Sequence, residues 1–178
     1  TPQQLAALGG SDPRLRYFFE SENGGIDRDY DRAVGYARGR YCWLMSDDDM
    51  LKPQAVATLH QACRQDYAFV FVDAAVRSLD FSKLLKARRT SLDGNRIYAP
   101  EDFEVLFVDT ADALSFIGST VIRRDVWQSR RREPYFGTDF IHVGVIFQAP
   151  LPGSALAIAE PLVEIRYGNA SWTSRSPD

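Results

Sequence analysis

The chain has 178 residues, a formal net charge of −3 and a sequence pI near 5.4. This charge excludes nucleic-acid binding through bulk basicity, and the 45% hydrophobic and 12% aromatic content excludes a disordered chain or a coiled coil. The length fits one domain, so we assign residues 1–178 to a single domain. The sequence starts with Thr1 rather than Met, and we expect a piece of a longer protein.

The cysteines and the apolar segments indicate the compartment. Cys42 and Cys63 have neither the spacing of a zinc site nor that of a disulfide framework, which predicts reduced, buried thiols. No window approaches the ~20 apolar residues of a membrane-spanning helix. The first residues have no signal-peptide pattern. We therefore expect a cytoplasmic protein.

Helices and strands alternate along the first half of the chain. Gly and Pro residues mark the ends of these elements, and helical spacing and apolar runs distinguish helices from strands. The predicted elements are a helix end at 4–8, a strand at 15–21, a turn-rich loop at 22–31, a helix within 30–39 and a strand at 40–45.

A strand–helix–strand unit follows from the same patterns. The strand at 40–45 leads, after three aspartates, to a helix that Pro53 starts and that buries Val56, Leu59 and Cys63. A second apolar strand covers 67–76. Spacing of this kind is typical of a βαβ unit, which predicts that the two strands are parallel.

The second half is less regular but keeps the alternation. It predicts a helix from 100 to 107, a strand running into a helix within 114–127, a helix from about residue 138, and a strand followed by a polar tail within 155–172. The fold class predicted for the whole chain is therefore α/β.

Asp47, Asp48 and Asp49 end the buried-looking strand at 40–45 and need an explanation. Ligands of parallel sheets sit at the carboxyl ends of strands, and carboxylates there can hold Mg²⁺ or Mn²⁺ together with substrate phosphates. The same residues could instead cap the next helix or form a solvated acidic turn. The spacing alone leaves these alternatives open.

The ordered set NGGIDRDYDRAVGYARGRYCWLMSDDDMLKPQAVATL, at about residues 23–60, resembles the family 2 glycosyltransferases of the GT-A fold. Its Trp-Leu-Met-Ser before the aspartates is similar to bacterial sugar transferases of surface-polysaccharide assembly. Looser similarity continues in FIGSTVIRRDVW, YFGTDFIHVGVIF and IRYGNASW. The resemblance implies a Rossmann-like, mainly parallel central sheet flanked by helices. The family's first strands do not precede Thr1, so we expect the N-terminal part to be missing.

The resemblance also implies a nucleotide-diphosphate sugar donor and a Mg²⁺ or Mn²⁺ ion held by a D-x-D motif. Asp47 and Asp49 match its ends and are the expected metal ligands, with Asp47 and Asp48 also near the ribose or sugar. The loop before the first predicted helix implies three further donor-binding residues: Asn23, Gly24 and Asp27. A turn-forming role for Asp27 is the alternative.

In the family a late acidic residue acts as the base of an inverting transfer, and Asp139 matches that place. The common Glu-Asp pair is absent, because Thr138 precedes Asp139. The alternative is that both residues cap the helix. His142 would orient the acceptor, bind phosphate or be structural, and His60 is taken as structural.

Arginines of the second half suggest contacts with phosphate. Arg166 is predicted to bind the donor, in a tail with Asn169 and Trp172 that could close over the diphosphate or simply be a chain end. The arginines 130–132, with 123 and 124 upstream, are either a solvated loop or a contact with the diphosphate of a lipid-linked acceptor at the inner membrane surface.

Two function classes compete with a metal-dependent transferase acting on a saccharide or lipid-linked acceptor. One is a catalytically inactive GT-A-like module that binds a nucleotide or a protein. The other, a nucleotidyltransferase, is disfavoured because its Gly-rich basic loop is absent near the first strand.

Overall fold

The computed structural model describes residues 12–168. The α-helices of this range are α1 (Ile26–Tyr36), α2 (Ala55–Cys63), α3 (Phe103–Thr110), α4 (Arg124–Ser129) and α5 (Ile141–Phe147). The strands are β1 (Tyr41–Trp43), β2 (Met50–Leu51), β3 (Phe69–Arg77), β4 (Leu84–Lys86), β5 (Arg96–Tyr98), β6 (Thr120–Arg123) and β7 (Ala155–Arg166). Short 3₁₀ turns occupy Pro100–Asp102, Ala111–Ala113, Ile117–Ser119 and Glu133–Tyr135. The helix end predicted at 4–8 and the tail residues Asn169 and Trp172 lie outside the described residues.

One mixed sheet organises the chain, with the order β1-β6-β3-β7-β2, and with β4 added to β3 and β5 to β7. The long pair β3 and β7 runs parallel, from Phe69 opposite Ala155 to Arg77 opposite Arg166. Helices flank this sheet, so the predicted α/β class is confirmed.

The mainly parallel character expected for the sheet is wrong for the described residues. Of the six strand pairings within residues 12–168, only that of β3 with β7 is parallel. β1 and β3 do run in the same direction, as the βαβ pattern predicts, but each pairs antiparallel with β6, which lies between them. The βαβ pattern specifies the relative direction of β1 and β3. It does not specify which strand lies between them, because β6 comes from a distant segment of the chain.

Strand β3 forms the centre of the core because both of its faces are covered. Phe69 and Phe71 point to a cluster that includes Trp127 of α4, while Val70 and Val72 point to a cluster that includes Leu59 of α2. Alternate residues of a strand face opposite sides, which explains the uninterrupted apolar run.

Helix α1 is fixed against the later helices through polar as well as apolar contacts. Val34 is buried in the core, and Trp127 Nε1 of α4 donates to Asp31 Oδ1 at 2.8 Å. Arg132 also pairs with Asp31 at 3.2 Å. These contacts hold the middle of α1 against α4 and the segment that follows it.

Several boundaries differ from the predictions. Residues 15–21 form no strand; Phe18 of this segment stacks on Tyr36 of α1 with 3.9 Å between ring centroids. In α2 the helix starts at Ala55, and Val56 is 62% exposed, because Ala55 and Leu59 face the sheet instead. The last helix starts at Ile141 rather than near 138, since Gly137 and Asp139 have positive φ angles of 87° and 64°.

Candidate functional site

Three carboxylates form a turn between β1 and β2, and we call Asp47, Asp48 and Asp49 the acid turn. The strands on either side fix it: Trp43 Nε1 donates to Gly118 O at 2.8 Å, and Met50 pairs with Glu164 of β7. Asp47 is exposed, whereas Asp48 and Asp49 are half-buried. The predicted carboxyl-end position of the cluster is therefore what the structure shows.

Asp49 is the member of the acid turn with identified local partners. Ser46 Oγ donates to its Oδ2, and the Arg166 backbone amide donates to its Oδ1 at 3.0 Å. The Arg166 guanidinium lies over the Phe81 ring, 4.8 Å from the centroid, with its Nε buried and without a partner among the described residues. The end of β7 thus lies directly against the acid turn, and the structure brings Arg166 and Asp49 together.

Burial disfavours the negative charge of Asp49 in the acid turn. Burial raises the pKa of the Asp49 carboxyl, and the charge of Asp48 raises it further, although the Ser46 and Arg166 hydrogen bonds oppose this. Burial, followed by the charges of Asp48, Asp49 and Asp47, raises the pKa of Tyr30 to about 12. Within residues 12–168 neither Asp47 nor Asp49 forms an ion pair. A cation would relieve this repulsion.

The residues of the acid turn fit a hard divalent cation. Carboxylate oxygens are the ligands that Mg²⁺ and Mn²⁺ prefer, and Mg²⁺ sites commonly use one or two carboxylates together with substrate phosphates. The described part of the chain contains no group of three or more His, Cys, Asp or Glu side chains arranged around one metal position. Asp47 and Asp49 would therefore hold an ion together with ligands from a substrate.

Asp27 has a different environment, because it is buried within the fold. Its Oδ2 accepts the backbone amides of Gly137, Thr138 and Asp139 at 2.8, 2.9 and 3.0 Å, and its Oδ1 accepts that of Ile141 at 3.0 Å. The side chain is 3% exposed. Four amide donors occupy the carboxylate, so the predicted contact with nucleotide or sugar does not agree with this geometry. Asp27 instead anchors the loop that starts α5.

The anchored loop leaves Asp139 exposed at the surface. Its backbone φ of 64° lies in the left-handed region, and its side chain forms no hydrogen bond to the described residues. The helix-cap alternative for the Asp139 side chain is therefore wrong, because Asp27 supplies the cap from another helix. Thr138 Oγ1 does accept the Phe140 amide, at 3.1 Å.

His142 lies in the core rather than at the site surface. It is 2% exposed, its Nε2 lies 2.6 Å from Leu114 O, and its Nδ1 has no partner among the described residues. Burial lowers the pKa of this histidine, against the Leu114 hydrogen bond and the Asp27 charge. The structural alternative holds for His142, and contact with an acceptor or a phosphate does not agree with its burial.

Asn23 and Gly24 form the entry into α1. Asn23 Oδ1 accepts the Gly25 amide at 2.9 Å, and Gly25, with a φ of 81°, precedes the first helical residue. A Cβ at Gly24 would come within 2.9 Å of Arg32 Nη1. Asn23 also borders a cavity of about 1040 Å³ between residues 13–23 and α1. The acid turn does not line that cavity, so the carboxylates and this cavity are separate features.

The arginine cluster at 130–132 is largely part of the fold. Arg130 donates to Val145 O at 2.9 Å and to Pro150 O at 2.7 Å, around the end of α5. Arg132 pairs with Asp31, and Arg131 is exposed. The alternative of a phosphate-binding cluster does not agree with the occupied guanidiniums of Arg130 and Arg132.

The first turns of α1 connect the two acidic regions. Tyr30 follows Asp27 by three residues, so both lie on one face of the helix. The charges of Asp27 and of all three acid-turn residues raise the pKa of Tyr30. Asp27 anchors the loop that presents Asp139, and Tyr30 on the same helical face lies within reach of the acid-turn charges.

Comparison with known proteins gives the assignment. The sequence model of the family described as "Glycosyl transferase family 2" matches residues 1–128. The chain belongs to glycosyl transferase family 2. Its mixed sheet flanked by helices is consistent with the GT-A fold of that family.

A curated relative extends the similarity beyond the family match. The chain is 25% identical over 169 residues to abequosyltransferase RfbV of Salmonella typhimurium (strain LT2). The aligned region covers 89% of the chain and 51% of the relative, so the chain spans about half the length of the curated relative it matches. No helix among residues 12–168 is both long enough and apolar enough to cross a membrane.

Two features of this family 2 chain were not found from its sequence. The pKa of Tyr30 is raised by burial and by the charges of the acid turn, and the one signal was its position three residues after Asp27. The four-amide anchor at Asp27 joins residues that are 110 to 114 positions apart, and no local pattern reveals such a contact.

Proposed function

We propose that the chain transfers a sugar, hexosyl or deoxyhexosyl, from a nucleotide-diphosphate sugar to a saccharide or lipid-linked acceptor in bacterial surface-polysaccharide synthesis. The transfer inverts the anomeric centre and depends on Mg²⁺ or Mn²⁺. Membership of family 2 and the name of the relative support the sugar-transfer reaction. The observation that carries the proposal is the acid turn, where three adjacent carboxylates, two of them half-buried, leave Asp47 and Asp49 without an ion pair among residues 12–168.

The acid turn would act through its charge. Asp47 and Asp49 hold the ion, and Asp48 lies beside them near the ribose or sugar. A divalent ion supplies neutralisation of the charge that develops on a departing diphosphate. Ser46 and the Arg166 amide keep the Asp49 carboxylate oriented. Without a bound donor these residues alone offer few ligands, which favours binding of ion and donor together.

Arg166 and the entry loop would hold the donor. The Arg166 guanidinium has a buried Nε without a partner among the described residues and lies next to Asp49, which places a positive charge beside the phosphate position. Asn23 and Gly24 lie directly before α1, and the exposed Asn23 side-chain amide would contact the donor.

Asp139 would act as the base that removes the proton of the acceptor hydroxyl as that oxygen attacks the anomeric carbon. Its carboxylate is exposed and forms no hydrogen bond to the described residues, so both oxygens remain open to an acceptor. The Asp27 anchor fixes the backbone on which Asp139 stands. We propose that the reaction is cytoplasmic, with a lipid-linked acceptor reached at the inner membrane surface.

A titration of Mn²⁺ by calorimetry, with and without UDP, GDP, CDP or dTDP, tests the proposal. We expect one nucleoside diphosphate to raise the Mn²⁺ affinity at least about tenfold, and Asp49→Ala to remove that gain. Asp93→Ala, an exposed aspartate in the 78–95 segment, is the matched control and should keep it. Transfer from the matching nucleotide-sugar panel, followed as released nucleoside diphosphate, completes the test.

Two results would contradict the proposal in different ways. Nucleotide binding without turnover from any donor would favour the inactive GT-A-like module. Equal Mn²⁺ binding by Asp49→Ala and the unsubstituted protein would remove the acid turn from the metal site, whatever the turnover.

A further inference from the structure

A second charged site lies at the opposite end of β1 from the acid turn. We call it the arginine basin, a hollow of about 520 Å³. Its charged lining residues are Arg38, Arg40, Asp66, Arg123, Arg124 and Asp125. Arg40 directly precedes β1, whereas Asp47 follows its far end, so the two sites lie at opposite ends of the strand.

Backbone hydrogen bonds hold the walls of the arginine basin together. The Arg124 amide donates to Arg40 O at 2.8 Å, and Arg124 Nε donates to Gly39 O at 3.0 Å. The Arg123 amide donates to Ala68 O at 3.2 Å. Three segments that are distant in sequence therefore converge on a fixed frame, and the basin does not depend on one flexible loop.

The charges of the basin are incompletely balanced. The Asp66 carboxylate accepts hydrogen bonds from Arg40 and, at 3.4 Å, from Arg123. The Asp125 carboxylate accepts two hydrogen bonds from Arg123, at 2.9 and 2.7 Å. Neither of the remaining two arginines, at 38 and 124, has a carboxylate partner among residues 12–168. Four guanidiniums and two carboxylates leave an excess of two positive charges.

Stability does not explain this arrangement. The Asp66 and Asp125 carboxylates and Arg40 are more than half exposed, and exposed ion pairs contribute little to folding. Guanidiniums placed side by side repel one another, and a bound anion removes that repulsion. Arginine also matches phosphate oxygens through two parallel N–H donors, which a single ammonium group cannot do.

The residues that line the arginine basin determine which kind of anion it can bind. No aromatic or aliphatic side chain borders the basin; besides the charged residues it contains Gly39 and Gln128. A nucleoside would find no apolar surface for its base, whereas a phosphate or diphosphate group needs none. We propose that the arginine basin binds a phosphate or diphosphate group, either on a soluble compound or on a lipid headgroup. This site is independent of the proposed sugar-transfer function.

Calorimetry with sodium pyrophosphate at low ionic strength tests the site, with EDTA present so that no cation can bring the probe to the acid turn. The probe variant is Arg38→Gln/Arg124→Gln, and the matched control is Arg131→Gln, which removes one charge from an exposed arginine outside the basin. We expect the double variant to weaken binding by about tenfold or more, and the control by less than about twofold.

Vesicles distinguish the two sources of phosphate. Co-sedimentation with vesicles of phosphatidylcholine and phosphatidylglycerol, but not with phosphatidylcholine alone, would identify a headgroup if the double variant loses it. Binding of pyrophosphate without vesicle binding would identify a soluble ligand. Binding of neither probe, or equal binding by the double variant, would overturn the proposal. Because Arg38 is exposed and its side chain forms no hydrogen bond or ion pair with residues 12–168, Arg38→Gln alone repeats the test if the double variant is unstable.

Discussion

Asp27 and the acid turn contain the same type of side chain in opposite environments. The Asp27 carboxylate is 3% exposed and accepts four backbone amides from one loop. Asp49, the member of the acid turn with identified partners, accepts one hydroxyl and one amide, and burial and a neighbouring charge raise its pKa. Four donors surround the first carboxylate, whereas the second has two donors beside the negative charge of Asp48.

This difference separates a structural aspartate from a binding one. A buried carboxylate whose oxygens are fully used contributes stability and has no capacity left for a ligand. A crowded carboxylate gains energy when a cation arrives, because the ion removes repulsion that the fold maintains. The following predictions test whether the two environments have these two consequences.

The largest effect should follow the removal of Asp49. Asp49→Ala should lower kcat/KM for sugar transfer by roughly 1000-fold, because the ion stabilises departing charge by several kcal/mol. The free energy of unfolding should change by less than about 1 kcal/mol, since lost hydrogen bonds are offset by relief of repulsion. Steady-state kinetics and urea unfolding measure both. A large loss of stability with normal turnover would show that Asp49 is a structural aspartate rather than a binding one.

Asp139→Asn should lower kcat by about 100-fold or more and leave the KM for the donor nearly unchanged. The amide keeps the size of the side chain and removes its basicity, and the exposed position predicts little effect on folding. Rates with Asp93→Asn provide the matched control. An unchanged kcat would exclude Asp139 as the base.

Asp27→Ala should lower the free energy of unfolding by about 3 kcal/mol, because it leaves four amides around the α5 start without their acceptor. Asp27→Asn keeps one carbonyl oxygen and should lose less. Chemical unfolding measures both variants. If Asp27→Ala kept full stability but lost donor binding, Asp27 would belong to the ligand site after all.

The smallest effect concerns pH and His142. Burial lowers the pKa of His142 in the folded state below its unfolded value near 6.5. The neutral histidine therefore contributes its full stability above pH 6.5, and this contribution is lost as the pH falls toward the lowered pKa. Below pH 6.5 the free energy of unfolding should decline by up to about 1.4 kcal/mol per pH unit. Because the Asp27 charge raises this pKa, Asp27→Asn should lower it further. NMR titration with the exposed His60 as internal reference measures the change, and an unshifted His142 would contradict it.

Much of the fold was predictable because it is encoded locally. Apolar runs such as those of β3 and β7, and the strand-to-helix step at β6 and α4, contain enough periodicity to be recognised. The order of the strands was not, because β6 enters between β1 and β3 from a distant segment. Segment 15–21 has strand composition but forms no strand, and its Phe18 stacks on Tyr36 of α1 instead.

The candidate site divides in the same way. The acid turn was predictable from three adjacent aspartates after an apolar run, and its position near Arg166 agrees with the expected donor side. The role of Asp27 was not, since its four donors come from one remote loop. The positive φ angles of Gly137 and Asp139 in that loop place the start of α5 at Ile141 rather than near residue 138. Residue types alone do not specify these angles.

The hydrogen bond from the Ile141 amide to Asp27 also affects how the chain folds during synthesis on the ribosome. The amides that Asp27 requires are translated 110 to 114 residues later, which corresponds to roughly 5–20 s of synthesis at typical elongation rates. Until then water must solvate the carboxylate, and α1 cannot dock in its final place. A nascent chain released before residue 141 would therefore expose this helix, making premature termination a route to aggregates.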